Sequence, residues 1–212
     1  MYRRIINKRQ MNEYTKIKEK AMTDSIVNLS NVLSEKDSYT FEHCKRVSYY
    51  SFLIGKTLGL PYEELTELVT GALFHDMGKI AISDSILNKT GKLSESERET
   101  MRIHPKASAE LLKMMGCSKE SITSMLYHHE CYDGTGYPFG LKGNNIPLLS
   151  RIISVADTYD AMTTKRSYSK RMDSEEALEK ISHCKGSQFD PKITDVFINM
   201  MQIPQRQLQT AS

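Results

Sequence analysis

Residues 71–81 read GALFHDMGKIA, an apolar run that ends in the adjacent pair His75 and Asp76. Apolar residues recur at helical spacing upstream and mark the face that a helix would bury: Leu65, Leu68, Val69, Ala72 and Leu73. Asp76 falls on this face, four residues after Ala72. An ionised carboxylate there is costly unless a cation or hydrogen-bond donors neutralise it. The stretch therefore predicts a helix, continuing to Gly78, that carries one end of a metal site for zinc, iron or manganese.

A His-Asp pair alone is more often a capped core histidine beside a helix-terminal aspartate. Here, further candidate ligands end or line other apolar helical stripes, and they are His43, His104, His128, His129 and Asp157. Five of the six histidines thus belong to one set, and only His183 stands outside it. This concentration of histidines favours a metal site over a capped core histidine beside a helix-terminal aspartate.

The same patterning predicts helices along most of the chain and no strand. Gly59 and Gly116 follow apolar stripes as helix stops, and Ser94 with Glu97 forms a capping box. Residues 131–147 are rich in Gly and Pro and predict a long loop, a kind of segment that is usually functional inside a compact domain. We expect an all-α fold with helices packed around the metal centre.

The first 24 residues are distinct from the rest. They hold seven basic and three acidic side chains, a net of +4, whereas the whole 212-residue chain nets only +3. We expect a basic helical leader over residues 1–24, which is more often simply solvated than bound to an acidic partner. The following stripe of Met22, Ile26, Leu29 and Leu33 predicts a helix that joins the core or pairs with a second copy as a homodimer.

Overall composition excludes other classes. The net charge is too small to indicate binding of a nucleic acid polymer, and no apolar run is long enough to span a membrane. The four cysteines show no pairing motif, so we expect free thiols in a reducing cytoplasm. Cys44 and Cys131 adjoin candidate ligands, which leaves a lesser role in binding a soft metal open.

Four separated motifs resemble one known family. They are HD-x-G-K at 75–79, H-H-E at 128–130, D-G-T-G-Y-P at 133–138 and V-A-D-x-Y-D-A at 155–161. In this order they resemble the HD-GYP branch of the HD-domain phosphohydrolases, with a phosphodiesterase domain over residues 25–205. The resemblance implies an HD-type helical bundle that hydrolyses cyclic di-GMP to linear pGpG, with GMP as a further product left open. Some members of the family prefer the hybrid cyclic GMP-AMP dinucleotide.

Carried over by motif, the resemblance implies these metal ligands: His43, His75, Asp76, His104, His128, His129 and Asp157. Asp76 would bridge two ions, because a carboxylate has one oxygen for each. Members with a third metal have a glutamate four residues before the first histidine, and Tyr39 occupies that position here. We therefore expect two divalent ions, iron or manganese.

The resemblance also implies contacts to phosphate and guanine, from Asp37, Lys79, Tyr137, Asp160 and Arg166. Each of these residues also has a purely structural interpretation. Lys79 would be a surface ammonium group, and Tyr137 a hydrophobic side chain that holds the loop against the core. Arg166 would be solvated, and the two aspartates would cap helices. One departure bears on affinity. The family's R-P-Y-R or R-P-Y-K reads Arg166-Ser167-Tyr168-Ser169 here, so the second basic group is missing unless Lys170 replaces it.

The expected reaction uses a metal-bridging hydroxide that attacks phosphorus, with Asp76 and Lys79 as the catalytic residues. Lys79 would stabilise charge on a non-bridging oxygen. Two other functions stay open: a cyclic-dinucleotide receptor or protein-interaction module that docks a partner on the loop from Asp133 to Pro147, and a mononucleotide phosphohydrolase. The long loop counts against the last, because a small substrate needs no such platform.

Overall fold

The computed structural model describes residues 38–164 and 172–202, and all regular elements within these ranges are helices. An isolated bridge between Lys185 and Phe189 is their one β-type pairing. This confirms the all-α prediction. The α-helices are α1 Ser38–Thr57, α2 Tyr62–Phe74, α3 Asp84–Leu87, α4 Glu95–Met101, α5 His104–Met114, α6 Lys119–Leu126, α7 Leu148–Thr163, α8 Ser174–His183 and α9 Pro191–Gln202. Short 3-10 helices cover Met77–Ala81 and Gly143–Asn145.

Some predictions fall outside the described residues. They are the basic leader over 1–24, the apolar stripe proposed to form a homodimer, and the substrate contacts of Asp37 and Arg166. Among the helices that are described, none is both long and apolar enough to cross a membrane.

Several helix boundaries follow from the local sequence. Ser94 and Glu97 form the predicted capping box at the start of α4. Gly59 and Gly116 follow α1 and α5 with φ of 76° and 73°, a left-handed conformation that glycine adopts without strain. Asp190 accepts hydrogen bonds from backbone N–H groups at the start of α9. These caps hold the helices at fixed lengths around the core.

The helix that carries the His-Asp pair ends earlier than the periodicity predicts. It stops at Phe74, and the chain turns at Asp76, with φ of −100° and ψ of 1°, into the 3-10 helix Met77–Ala81. After the break Gly78 approaches α5 closely, since a Cβ at Gly78 would lie 2.1 Å from the carbonyl oxygen of His104. The prediction of a continuous helix to Gly78 is therefore wrong, and the break brings the pair against α5.

The apolar core has two parts. A larger cluster joins α1, α2, α7, α8 and α9 around residues such as Ile54, Leu68 and Ile152. A smaller cluster, Phe74, Met77, Leu112 and Met125, joins the end of α2 to α5 and α6. His75 and Asp76 lie in the chain between two members of the smaller cluster. The candidate site is thus built where the two clusters meet.

Candidate metal centre

The structure brings all seven predicted ligands together from five segments of the chain. One triad consists of His43 on α1, His75 at the end of α2 and Asp157 on α7, with ligand atoms within 4.8 Å of one another. His43 Nε2 lies 3.0 Å from Asp157 Oδ1, and His75 Nε2 lies 3.8 Å from the same oxygen. All three side chains are joined to helices of the larger apolar cluster.

The second triad comes from the helices of the smaller cluster. His104 begins α5, and His128 and His129 follow α6, again with ligand atoms within 4.8 Å of one another. His104 Nε2 lies 3.1 Å from His129 Nε2. Two nitrogen lone pairs at that separation repel unless a proton or a cation lies between them.

Asp76 lies between the two triads and offers one oxygen to each. Its Oδ1 is 3.3 Å from His104 Nε2 in the second triad. Its Oδ2 is 3.6 Å from His75 Nε2 and 3.7 Å from His43 Nε2 in the first. This is the arrangement that a carboxylate bridging two cations requires.

The chemistry of these donors fits divalent metal ions. His75 Nε2 and His128 Nε2 are fully buried and have no hydrogen-bond partner, and an unsatisfied buried polar atom is costly. Burial lowers the pKa of His104 to about 4 and that of His129 to about 3. These imidazoles are therefore neutral near pH 7, the form that binds a metal. A cation would satisfy the orphaned nitrogens and the buried carboxylates at once.

His43 has a different electrostatic environment. Burial lowers its pKa, but hydrogen bonds with Asp157 and Asp160 and the charges of nearby carboxylates outweigh this effect and raise it to about 9. The pKa of Asp157 is correspondingly held well below its usual range, because contact with His43 outweighs its burial. Metal binding at this triad would displace the proton that His43 carries.

Lys79 faces the centre from the 3-10 helix, where its Nζ donates to Asp76 Oδ2 at 2.6 Å. The Lys79 side chain keeps 19% of its surface exposed and lines a cavity of about 680 Å³ with His43, Asp76, Arg102, Tyr137 and Asp157. This volume is within the range of about 300–1,000 Å³ typical of small-molecule sites. A cationic side chain that lies beside the candidate metal ligands and borders the cavity is placed to meet an anionic group.

Tyr137 packs against the centre instead of extending into solvent. Its ring stacks on that of His129, with centroids 4.8 Å apart and planes inclined by 24°. The guanidinium carbon of Arg102 lies 5.5 Å from the Tyr137 ring centroid, a cation–π contact. Tyr137 therefore supports a ligand histidine, and it still borders the cavity. Arg102, which the sequence reasoning missed, adds a second positive charge at the same wall.

Glu130 fixes the loop that carries Tyr137. It is 3% exposed, and its carboxylate accepts hydrogen bonds from the backbone N–H groups of Phe139 at 2.7 Å and Leu141 at 3.0 Å. Gly136 allows the loop to press on this segment, because a Cβ there would lie 2.2 Å from the backbone nitrogen of Cys131. The sequence reasoning quoted Glu130 only as a motif letter and assigned it no role.

Asp160 does not face the cavity. It is 1% exposed and lies behind His43, with Oδ2 2.7 Å from His43 Nδ1. Arg46 donates to Oδ1 at 2.6 Å through Nε and to Oδ2 at 3.0 Å through Nη2, and Thr164 donates to Oδ1 at 3.2 Å. Both oxygens are thus engaged by these neighbours. Asp160 and Arg46 also border a second, smaller cavity of about 350 Å³, and the guanine contact of Asp160 stays a prediction.

The four cysteines are free, as predicted from their spacing. Cys44 is 1% exposed and lies within metal-ligand distance of His75 and Asp76. Burial and the charge of Asp76 raise the pKa of its thiol well above the usual value. Cys44 would bind a metal only as the thiolate, and its lesser role in binding a soft metal stays a prediction.

Residues 28–193 match the HD domain family. The chain belongs to this family. The assignment covers most of the chain and agrees with the family resemblance of the four motifs. The match includes both triads and the loop over residues 131–147. The family assignment therefore covers the residues that form the candidate metal centre.

Two curated relatives and one solved structure illustrate the similarity. The chain is 37% identical over 182 residues to "Cyclic di-GMP phosphodiesterase response regulator RpfG" of Xanthomonas campestris, covering 85% of this chain and 48% of that protein. It is 35% identical over 178 residues to "3'3'-cGAMP-specific phosphodiesterase 2" of Vibrio cholerae, covering 82% and 34%. The chain thus spans less than half the length of either relative.

The solved structure is that of V-cGAP3, a cyclic GMP-AMP specific phosphodiesterase of Vibrio cholerae, with a TM-score of 0.66 and 22% identity. The similarity covers 90% of this chain and 51% of the other. At this identity the comparison shows a shared fold, which is the predicted helical bundle.

Proposed function

We propose that this chain is a metal-dependent phosphodiesterase that hydrolyses cyclic di-GMP to linear pGpG. The observation that carries the proposal is the position of Asp76, whose two oxygens face two separate triads, one of two histidines and an aspartate and the other of three histidines. A site for two cations side by side is the arrangement used for in-line displacement at phosphorus. The names of relatives that match more than four-fifths of the chain support the same substrate class.

The cofactor would be a pair of divalent ions, iron or manganese, since mixed histidine and carboxylate ligands suit both. His43, His75 and Asp157 would hold one ion, His104, His128 and His129 the other, and Asp76 would bridge them. When bound, such a pair supplies an activated water nucleophile and neutralises the charge of the phosphodiester. The number two also agrees with Tyr39, which stands where three-metal members carry a glutamate.

The chain's own residues would bind and orient the dinucleotide. Lys79, beside Asp76 at the cavity wall, would donate to a non-bridging phosphoryl oxygen and stabilise the charge that grows there. Arg102 would provide a further charge at the cavity wall, where its guanidinium lies over the ring of Tyr137. Contacts from Asp37 and Arg166 remain part of the proposal on the strength of the motifs alone.

Turnover by purified protein tests this function. Protein loaded anaerobically with iron or manganese is incubated with cyclic di-GMP, and products are separated by chromatography beside a chelated sample. Asp76→Asn serves as the inactive variant, and Glu110→Gln, an exposed carboxylate change on α5, serves as the matched control. We expect metal-dependent pGpG formation by the wild type and control only. Binding without turnover would instead identify a receptor, and hydrolysis of mononucleotides alone would identify the third function.

One specific observation favours a second substrate. Relatives named as 3'3'-cGAMP-specific match this chain at 34–35% identity, close to the values for those named after cyclic di-GMP. The hybrid dinucleotide carries the same two phosphodiesters, so the metal centre would treat both alike. Measuring kcat/KM for both dinucleotides with one preparation decides between them.

A further inference from the structure

The ligand histidines differ in what holds their second ring nitrogen. Nδ1 of His75 bonds the carbonyl of Ala72 at 2.7 Å, and Nδ1 of His104 bonds the carbonyl of Met101 at 2.7 Å. His128 makes the same contact with the carbonyl three residues before it. In each case the partner is a neutral backbone group within the histidine's own helical turn. These contacts set the tautomer that leaves Nε2 available to a metal.

His43 is held by a charged side chain from a distant part of the chain. Its Nδ1 lies 2.7 Å from Oδ2 of Asp160, which is on α7, 117 residues further on. Asp160 is itself held by Arg46 through two hydrogen bonds of 2.6 and 3.0 Å. A carboxylate behind a ligand histidine fixes the ring orientation and strengthens the donor nitrogen more than a neutral carbonyl does.

The sequence pattern places this assembly on two helices in the same register. Arg46 follows His43 by three residues on α1, and Asp160 follows Asp157 by three residues on α7. Each helix thus presents a ligand to the cavity and, one turn along, a charged residue that contacts the other helix. Since Asp157 Oδ1 lies 3.0 Å from His43 Nε2, both ring nitrogens of His43 face carboxylates of α7.

We propose that Asp160 and Arg46 are positioning residues that hold His43 on one of the two metals and leave the other metal unaffected. The proposal rests on the proposed metal centre, because it concerns how one of its ligands is oriented. In this proposal the role of Asp160 is to orient the metal-binding histidine His43, and not to bind the substrate. The affected cation is the one that His75 and Asp157 also face, and the triad of His104, His128 and His129 contains no residue that contacts this pair.

Metal titration tests the proposal directly. Metal-free protein is titrated anaerobically with Mn²⁺ against a chromophoric chelator, for the wild type, Asp160→Asn and Arg46→Gln. Wild type is expected to bind two equivalents. In Asp160→Asn, one equivalent is expected to bind about 10- to 100-fold more weakly, the range for loss of an outer-shell partner, while the other keeps its affinity. Arg46→Gln is expected to show a smaller loss at the same equivalent.

A matched control separates positioning from stability. Arg151 is on α7 as well and pairs with the buried carboxylate of Asp190, away from the metal centre. Arg151→Gln therefore breaks a comparable ion pair in the same helix and is expected to lower the melting temperature without altering either metal affinity. Arg46, whose side chain is 34% exposed, gives a folded variant if Asp160→Asn does not fold.

The outcomes are distinct. Wild-type affinity for both equivalents in Asp160→Asn and Arg46→Gln overturns the positioning role, and a raised KM with unchanged metal binding would return Asp160 to substrate binding. The same selective loss in Arg151→Gln also overturns it, because reduced stability would then suffice. A wild type that binds no Mn²⁺ overturns the proposed function itself.

Discussion

Replacing Glu130 with glutamine should release the loop that carries Tyr137. The carboxylate accepts two backbone hydrogen bonds, at 2.7 and 3.0 Å, in a buried setting. A hydrogen bond to a charged group contributes about 1.5–3 kcal/mol. Glutamine keeps one acceptor oxygen, and its NH₂ group opposes the other backbone N–H. We therefore expect the free energy of opening this loop to fall by about 2–3 kcal/mol.

Hydrogen exchange at the two bonded amides measures this change. With each 1.4 kcal/mol worth a factor of ten, exchange of the Phe139 and Leu141 amides should accelerate by about 30- to 150-fold. Glu120→Gln, an exposed change of the same type on α6, is the control and should leave both amides at the wild-type rate. Equal exchange rates in the Glu130→Gln variant and the control would refute the claim that this carboxylate anchors the loop.

Three further perturbations follow from the geometry. Gly78→Ala would place a Cβ 2.1 Å from the His104 carbonyl oxygen and 2.5 Å from the Ser108 nitrogen; overpacking of about 1–3 kcal/mol should lower the melting temperature by about 2–12 °C. Gly91→Ala, with nothing within 4 Å, is its control, and equal melting of both would contradict the reasoning. Lys79→Met should lower kcat about 10²–10³-fold with unchanged metal content, and full turnover would exclude its catalytic role. Chelation should lower the melting temperature by about 8–16 °C for each ion that is present at about 1,000 times its dissociation constant, and an unchanged temperature would argue against a bound metal.

The sequence was informative about the ligands because each of them ends or lines an apolar helical stripe. Helical periodicity tells which side chains point inward, and His43, His104 and Asp157 all do. The motifs then name a family in which such residues converge. The structure adds the division into two triads, which no spacing along one helix could show. It depends on how α1 packs against α2 and α7, and on how α5 packs against α6 and the 3-10 helix Met77–Ala81.

The contacts of Asp160 and the helix break after Phe74 could not be predicted from helical periodicity. Periodicity does not distinguish a carboxylate that faces the cavity from one that lies behind a candidate ligand, and the guanine contact of Asp160, which the family resemblance implied, stays a prediction. The three-residue offset shared by His43 with Arg46 and by Asp157 with Asp160 was the available signal. The break after Phe74 was not predicted because the apolar pattern carries no signal for it, and the close packing of Gly78 on α5 is visible only in the structure.

The protein-interaction role of the loop from Asp133 to Pro147 stays a prediction. Its tip does expose Phe139, at 57% of its surface, beside the ring of Tyr127 and the ammonium of Lys106.

The division of the core into two clusters suggests a structural role for the proposed metal pair. One triad belongs to the helices of the larger apolar cluster and the other to those of the smaller cluster, and Asp76 lies between the two triads. Cations bound on both sides of the shared Asp76 carboxylate would cross-link the helices of the two apolar clusters. Losing either ion would remove one of these links, and α2, with Leu68 in the larger cluster and Phe74 in the smaller one, would still join the two.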